Sequence, residues 1–152
     1  MRTLDDPGCL EELERRLTGL EPASKRRWGR MTPHQAVCHL SDAYRVLMGL
    51  KPAESVENWM GRNVLRVLAL HVPLRWPQGV KTGYASDPEG GGTRPSVFVR
   101  DSEELRWLLR RYVSGQPAYP GARHPMMGEL SRWERMRWGY LHADHHLRQF
   151  GL

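Results

Sequence analysis

The apolar positions of this chain recur mostly at helical spacing. Leu10, Leu13, Leu17 and Leu20 step by three and four residues, which predicts a first helix from about Asp6 to Leu20. Thr32-Pro33 opens a second helix. Thr serves as its N-cap, and Pro fits the first turn because the N–H it lacks would have no helical partner there. The apolar stripe runs on to Leu50 and stops before Lys51-Pro52. A third helical stretch reads from about Ser55 to His71, ended by Val72-Pro73. Asp101-Ser102-Glu103-Glu104 begins a fourth, with acidic residues at the positive end of the helix dipole, and it closes near Ser114-Gly115. Ser131-Arg132-Trp133-Glu134 is a capping box of the form S-x-x-E, opening a last helix to about Phe150 before Gly151.

Two segments break the pattern. Residues 72–100 are rich in Pro and Gly, keep no sustained period and exceed an ordinary connection, as functional lids do. Residues 116–130 form a second, shorter loop. No internal repeat or domain boundary is visible. The pattern therefore predicts one all-α domain over residues 1–152: an antiparallel four-helix bundle with an additional short helix and a long irregular insert.

Composition narrows the class. A chain of 152 residues can bury a real core, and six Trp with many Leu, Val and Met argue against disorder. No uncharged apolar run approaches the roughly 20 residues that span a bilayer. The segment MRTLDDPGCLEELERR is acidic and lacks the apolar stretch of a secretory signal, so a cytoplasmic setting is expected. Cys9 and Cys38 form no CxxC pair, and Cys38 reads as a buried structural thiol.

The net charge of +6 raises the question of nucleic acid. Almost all of the positive charge is Arg, with Lys only at positions 25, 51 and 81. Arg106/Arg110/Arg111 and Arg132/Arg135/Arg137 alternate with Trp and Leu at helical spacing, as on solvated faces of amphipathic helices. Zinc-finger spacing, a Gly-rich phosphate loop and an RNA-binding aromatic signature are all missing. No nucleic-acid partner is expected.

The seven histidines carry more. With His142 as zero and about 100° per residue, His146 falls near +40°, Gln149 near −20° and His145 near −60°. The apolar arc of that helix spans about +80° to +160°, so His142 and His146 border the buried face while His145 turns toward solvent. An i, i+4 His pair brings two imidazoles to one metal ion. On the second helix His39 lies within the core-facing stripe of Ala36, Leu40, Ala43, Val46, Leu47 and Leu50, where an unpartnered imidazole is costly. His34 lies on the opposite, polar side. An HxxxH pair alone is a weak motif, and a helical His is more often an ordinary solvent-edge residue. Facing helices of a bundle nevertheless build metal sites from inward side chains. His39, His142 and His146 then make a three-nitrogen site with an open position, the catalytic pattern, with His145 as the competing ligand.

Three stretches point to a family: WGRMTPHQAVCHLSDAYRVLMG (28–49), PLRWPQGV (73–80) and HPMMGELSRWERMRWGYLHADHHLRQFG (124–151). They resemble the DinB/YfiT-like superfamily, and within it a branch ending in a HHLRQFG-type helix after an HP-x-x-G-x-L-S loop. The similarity spans the chain from Trp28 onward. It implies a four-helix bundle with a divalent metal on three His, at positions matching His39, His142 and His146, and a homodimer. Members of known activity are mostly thiol-dependent transferases, isomerases or metal-dependent hydrolases that work with low-molecular-weight thiols. A fold does not transmit a substrate.

The expected function is a metal-dependent transferase or hydrolase acting on a small molecule. Zinc, nickel and iron all suit imidazole, and the ion would lower the pKa of the ligand on its open position. Asp42, one turn after His39, is placed to orient an imidazole or accept a proton, or is simply solvated. Gln149 is placed to hydrogen-bond a metal-bound group. Trp138 would wall the pocket, Trp76 and Tyr84 of the insert would cover it, and Arg135 would attract an anionic substrate. His124 reads as loop structure. The competing class is a non-catalytic, metal-binding bundle or interaction module.

Overall fold

A computed structural model describes residues 1–79, 83–115 and 123–152. Among these residues the chain is all-helical, with no strand. Helix α1 spans Cys9–Thr18, α2 Pro33–Leu47, α3 Arg66–Leu70, α4 Phe98–Ser114 and α5 Arg132–Gln149. A π-helical turn, Gly61–Leu65, leads into α3, and a 3₁₀ turn, Tyr84–Ser86, interrupts the insert. The parts of the two predicted loops at 80–82 and 116–122 lie outside the described residues.

Helix α2 packs against α4 and α5, α1 against the same two helices, and α3 against α5. Leu13 and Leu17 of α1, Val37, Leu40, Tyr44 and Leu47 of α2, and Leu105, Leu108 and Leu109 of α4 meet Leu147 of α5 in one core. Two buried tyrosines stand side by side there, with ring centroids 5.0 Å apart. Each hydroxyl needs an acceptor. Tyr44 donates to the Gly139 carbonyl and Tyr112 to that of Arg135, both at 2.8 Å. Gly139 lets these elements approach closely, since a Cβ there would lie 2.7 Å from Leu4 Cδ1 and 2.8 Å from Tyr112 Cε1.

The caps lie where the sequence marks them. Thr32 accepts from the Gln35 amide, and Gln35 answers by accepting from the Thr32 N–H. Ser131 and Glu134 form the same reciprocal box on α5. Several helix boundaries differ from expectation, and α4 begins at Phe98, three residues before the predicted Asp101. Helix α1 starts at Cys9, because Gly8 takes a left-handed φ of 73° just before it. Helix α2 ends at Leu47 with Gly49 at φ 69°, three residues short of the predicted Leu50. Residues 52–58 are not helical: the Val56 N–H donates to Pro125 O, and the 124–128 turn presses so close that a Cβ on Gly61 would meet Met126 O at 2.3 Å.

Of the two arginine faces expected to be solvated, the second departs at Arg137. Arg110 is exposed but paired with Glu14, and Arg132 with Asp5. Arg137 is buried, donating to the Arg2 carbonyl at 2.7 Å and the Leu70 carbonyl at 3.4 Å. Arg135 donates to the Leu47 carbonyl at the end of α2 at 3.1 Å. No helix among the described residues is long and apolar enough to cross a membrane.

Candidate metal centre

His39 projects from the middle of α2, and His142 and His146 from one face of α5. All three are buried, at 5%, 9% and 9% exposure. One ligand nitrogen from each lies within 4.8 Å of the other two. One pair, His39 Nε2 and His142 Nε2, stands at 2.9 Å. Zinc–nitrogen bonds of about 2.0–2.1 Å place tetrahedral ligands about 3.3 Å apart, so side-chain adjustment alone would fit the set to an ion.

The hydrogen bonds around the set fix two tautomers. His39 Nδ1 lies 2.8 Å from the Ser86 carbonyl, which can only accept, so Nδ1 carries the proton. The Gln149 amide nitrogen donates to the Trp28 carbonyl at 2.9 Å, which turns its oxygen toward His146 Nδ1, also at 2.9 Å. His146 Nδ1 therefore carries its proton too. In both rings Nε2 is left unprotonated, the form a metal requires, and that of His39 accepts the Nε2–H of His142. His142 has no such support: its Nδ1 is buried without a hydrogen-bond partner among the described residues.

Burial holds all three rings neutral. It pushes the pKa of His39 below the ordinary value against the Ser86 carbonyl, which pulls it up. His142 goes well below, from burial and from His39, His146 and His145 around it, and His146 likewise from burial and its imidazole neighbours. Three neutral imidazoles facing one point, without a carboxylate among them, suit a borderline divalent cation.

The remaining candidates separate. Gln149 orients His146 through Nδ1, where a contact with a metal-bound group was expected. Asp42 is fully buried, so it is not solvated, and its oxygens accept from no imidazole. They take the Thr93 N–H at 2.6 Å, Thr93 Oγ1 at 2.8 Å, Lys51 Nζ at 2.7 Å and Arg45 Nη1 at 3.0 Å. Asp42 thus anchors the insert to α2. His145 stays outside the close set, against the Trp28 and Trp76 rings. His124 is loop structure: its Nδ1 accepts the Met126 and Met127 N–H groups, both at 3.1 Å.

Aromatic rings wall the centre. Trp138 lies 4.5 Å from His142 between centroids, and Trp76 lies 6.0 Å from it, held by an Nε1–H bond to the Ala69 carbonyl. Tyr84 does not join them. It is 76% exposed and packs over Gly90 and Gly91, shaping the insert itself. Sequence reasoning missed Ser86 and Trp28, which act through backbone carbonyls and leave no side-chain signal. It also missed Thr93, whose pairing with Asp42 crosses an irregular stretch. No protein-family model, curated protein or solved structure matches this chain.

Proposed function

We propose that the chain is a metal-dependent enzyme of the DinB/YfiT-like kind, a four-helix bundle binding a divalent ion on His39, His142 and His146. Its reaction is a transferase or hydrolase step on a small molecule, with a low-molecular-weight thiol as the class the sequence resemblance favours. The observation that carries this reading is the pair of fixed tautomers: the Ser86 carbonyl and the Gln149 amide each hold an Nδ1 proton, leaving Nε2 unprotonated in both rings. The contacts of α1 and α2 with α4 and α5 support the bundle. A bound ion supplies Lewis-acid activation at its open position. The chain's own part is positional: Ser86 and Gln149 orient two imidazoles, while Trp76 and Trp138 exclude water beside the third. The homodimer implied by the resemblance needs an apolar face, and Trp59, Met60, Val67 and Leu68 expose one.

A second reading, a non-catalytic metal-stabilised bundle, draws on the burial of all three imidazoles, which leaves a substrate little ligand surface. One experiment serves both. Protein purified without chelator is assayed for zinc, nickel and iron, then screened for thiol transfer and hydrolysis. His142→Ala and His146→Ala should each lose about one ion per chain relative to the wild type, and His145→Ala should lose none. Unchanged metal content in the first two overturns the centre, whereas metal without turnover favours the second reading.

A further inference from the structure

Three side chains outside this centre converge from α2 and the start of α4. His34 and Cys38 lie one helical turn apart on α2, so they share a face. Asp101, in the first turn of α4, meets both: its Oδ2 stands 2.6 Å from His34 Nε2 and 3.8 Å from Cys38 Sγ. All three ligand atoms lie within 4.8 Å of one another. Cys38 is buried, and His34 and Asp101 are half-buried.

We propose that His34, Cys38 and Asp101 form a second metal site, separate from the histidine centre and selective for a thiolate-loving divalent ion such as zinc or cobalt(II). The donor set is a nitrogen, a sulfur and an oxygen. Its two anionic ligands, thiolate and carboxylate, balance the charge of one divalent ion. Bonds of about 2.3 Å to sulfur and about 2.0–2.2 Å to nitrogen and oxygen put tetrahedral ligand atoms about 3.3–3.6 Å apart. The 2.6 Å and 3.8 Å separations bracket that range.

The surroundings hold these ligands in direction. The Ser96 N–H donates to Asp101 Oδ2 at 3.0 Å and the Ser96 hydroxyl to Oδ1 at 3.2 Å, fixing the carboxylate. The His34 ring packs edge-on against Phe98 at 5.3 Å. Binding replaces two protons that now point at Asp101. The thiol proton leaves to solvent, and His34 offers Nε2 to the ion with its ring proton on Nδ1. Cys38 and His39 are consecutive and point about 100° apart on α2, which keeps the two sites on different flanks of the helix.

Cobalt(II) titration of the full chain tests this, because a bound thiolate gives a near-ultraviolet charge-transfer band that three imidazoles cannot. The wild type should show the band, Cys9→Ser should keep it, and Cys38→Ser should lose it with about one equivalent of cobalt. The band should persist in His142→Ala, so failure of the histidine centre would read separately. His34→Gln, at a half-buried position, should weaken the cobalt affinity that the band reports by at least about 10-fold. A wild type without the band, a Cys38→Ser chain that keeps it, or an unchanged His34→Gln affinity overturns the site.

Discussion

Gln149 holds His146 from behind: its amide oxygen takes the Nδ1–H at 2.9 Å while its amide nitrogen is tied to the Trp28 carbonyl. One side chain thereby joins α5 to the loop before α2 and sets which face of the imidazole is basic. Partners of this kind typically govern metal affinity by about 10- to 100-fold. Gln149→Leu should lower zinc affinity by that factor, measured by competition with a chelator, with the helical circular dichroism retained. Unaltered affinity would show that the ring is held without it.

Asp42 predicts a different phenotype. Removing one partner of a buried ion pair leaves the others uncompensated, at a cost of about 3–5 kcal/mol. Asp42→Ala should lower the melting temperature and expose residues 87–93 to limited proteolysis, because Thr93 and Lys51 lose their acceptor. A stable variant with an uncut insert would return Asp42 to the pool of site residues.

Glu134 contributes to the acid limb of stability. Burial pushes its carboxyl up, but the bidentate Arg66, His71 and the Ser131 cap outweigh this and bring it down to about 2, from 4.5 when unfolded. A depressed carboxyl stabilises the fold fully above the unfolded value, and that contribution is lost as the pH falls through the folded one. The contribution is on the order of 3 kcal/mol. Urea midpoints should therefore fall between about pH 4.5 and pH 2 in the wild type, and Glu134→Gln should flatten that part of the profile. Parallel wild-type and variant profiles would refute the assignment.

Gly139 tests the packing between α5 and its neighbours. The added methyl of Gly139→Ala would meet Leu4 and Tyr112, and overpacking of this kind costs about 1–3 kcal/mol. Thermal denaturation should show the loss. A rise in stability, as expected from helix propensity alone, would mean that the site has slack.

Much of the architecture was legible because it is local. The Ser131/Glu134 box and the Thr32-Pro33 start are short-range signals, and both begin their helices where expected. Helical phase alone singled out His39, His142 and His146, since burial follows the 3.6-residue period. Phase could not show what lies behind each ring. It put Gln149 toward the ligands but not onto Nδ1, and it gave Asp42 no partner, because Thr93 lies 51 residues away in an aperiodic stretch. Phase places His34 on the polar face for the same reason: its neighbour Asp101 comes from another helix. The late start of the segment before α3 likewise depends on a distant turn, at Pro125 and Met126.

Among the described residues the insert is hydrogen-bonded to α2 through Thr93 on Asp42 and through the Ser86 carbonyl on His39, three residues apart on the same helix. Ordering of this strap and the ligand-ready state of His39 are therefore coupled. Any cation that favours the unprotonated Nε2 of His39 must also slow hydrogen exchange in residues 83–93, and by reciprocity any molecule that pries the strap loose must weaken the cation by the same factor. The centre reports on its own cover.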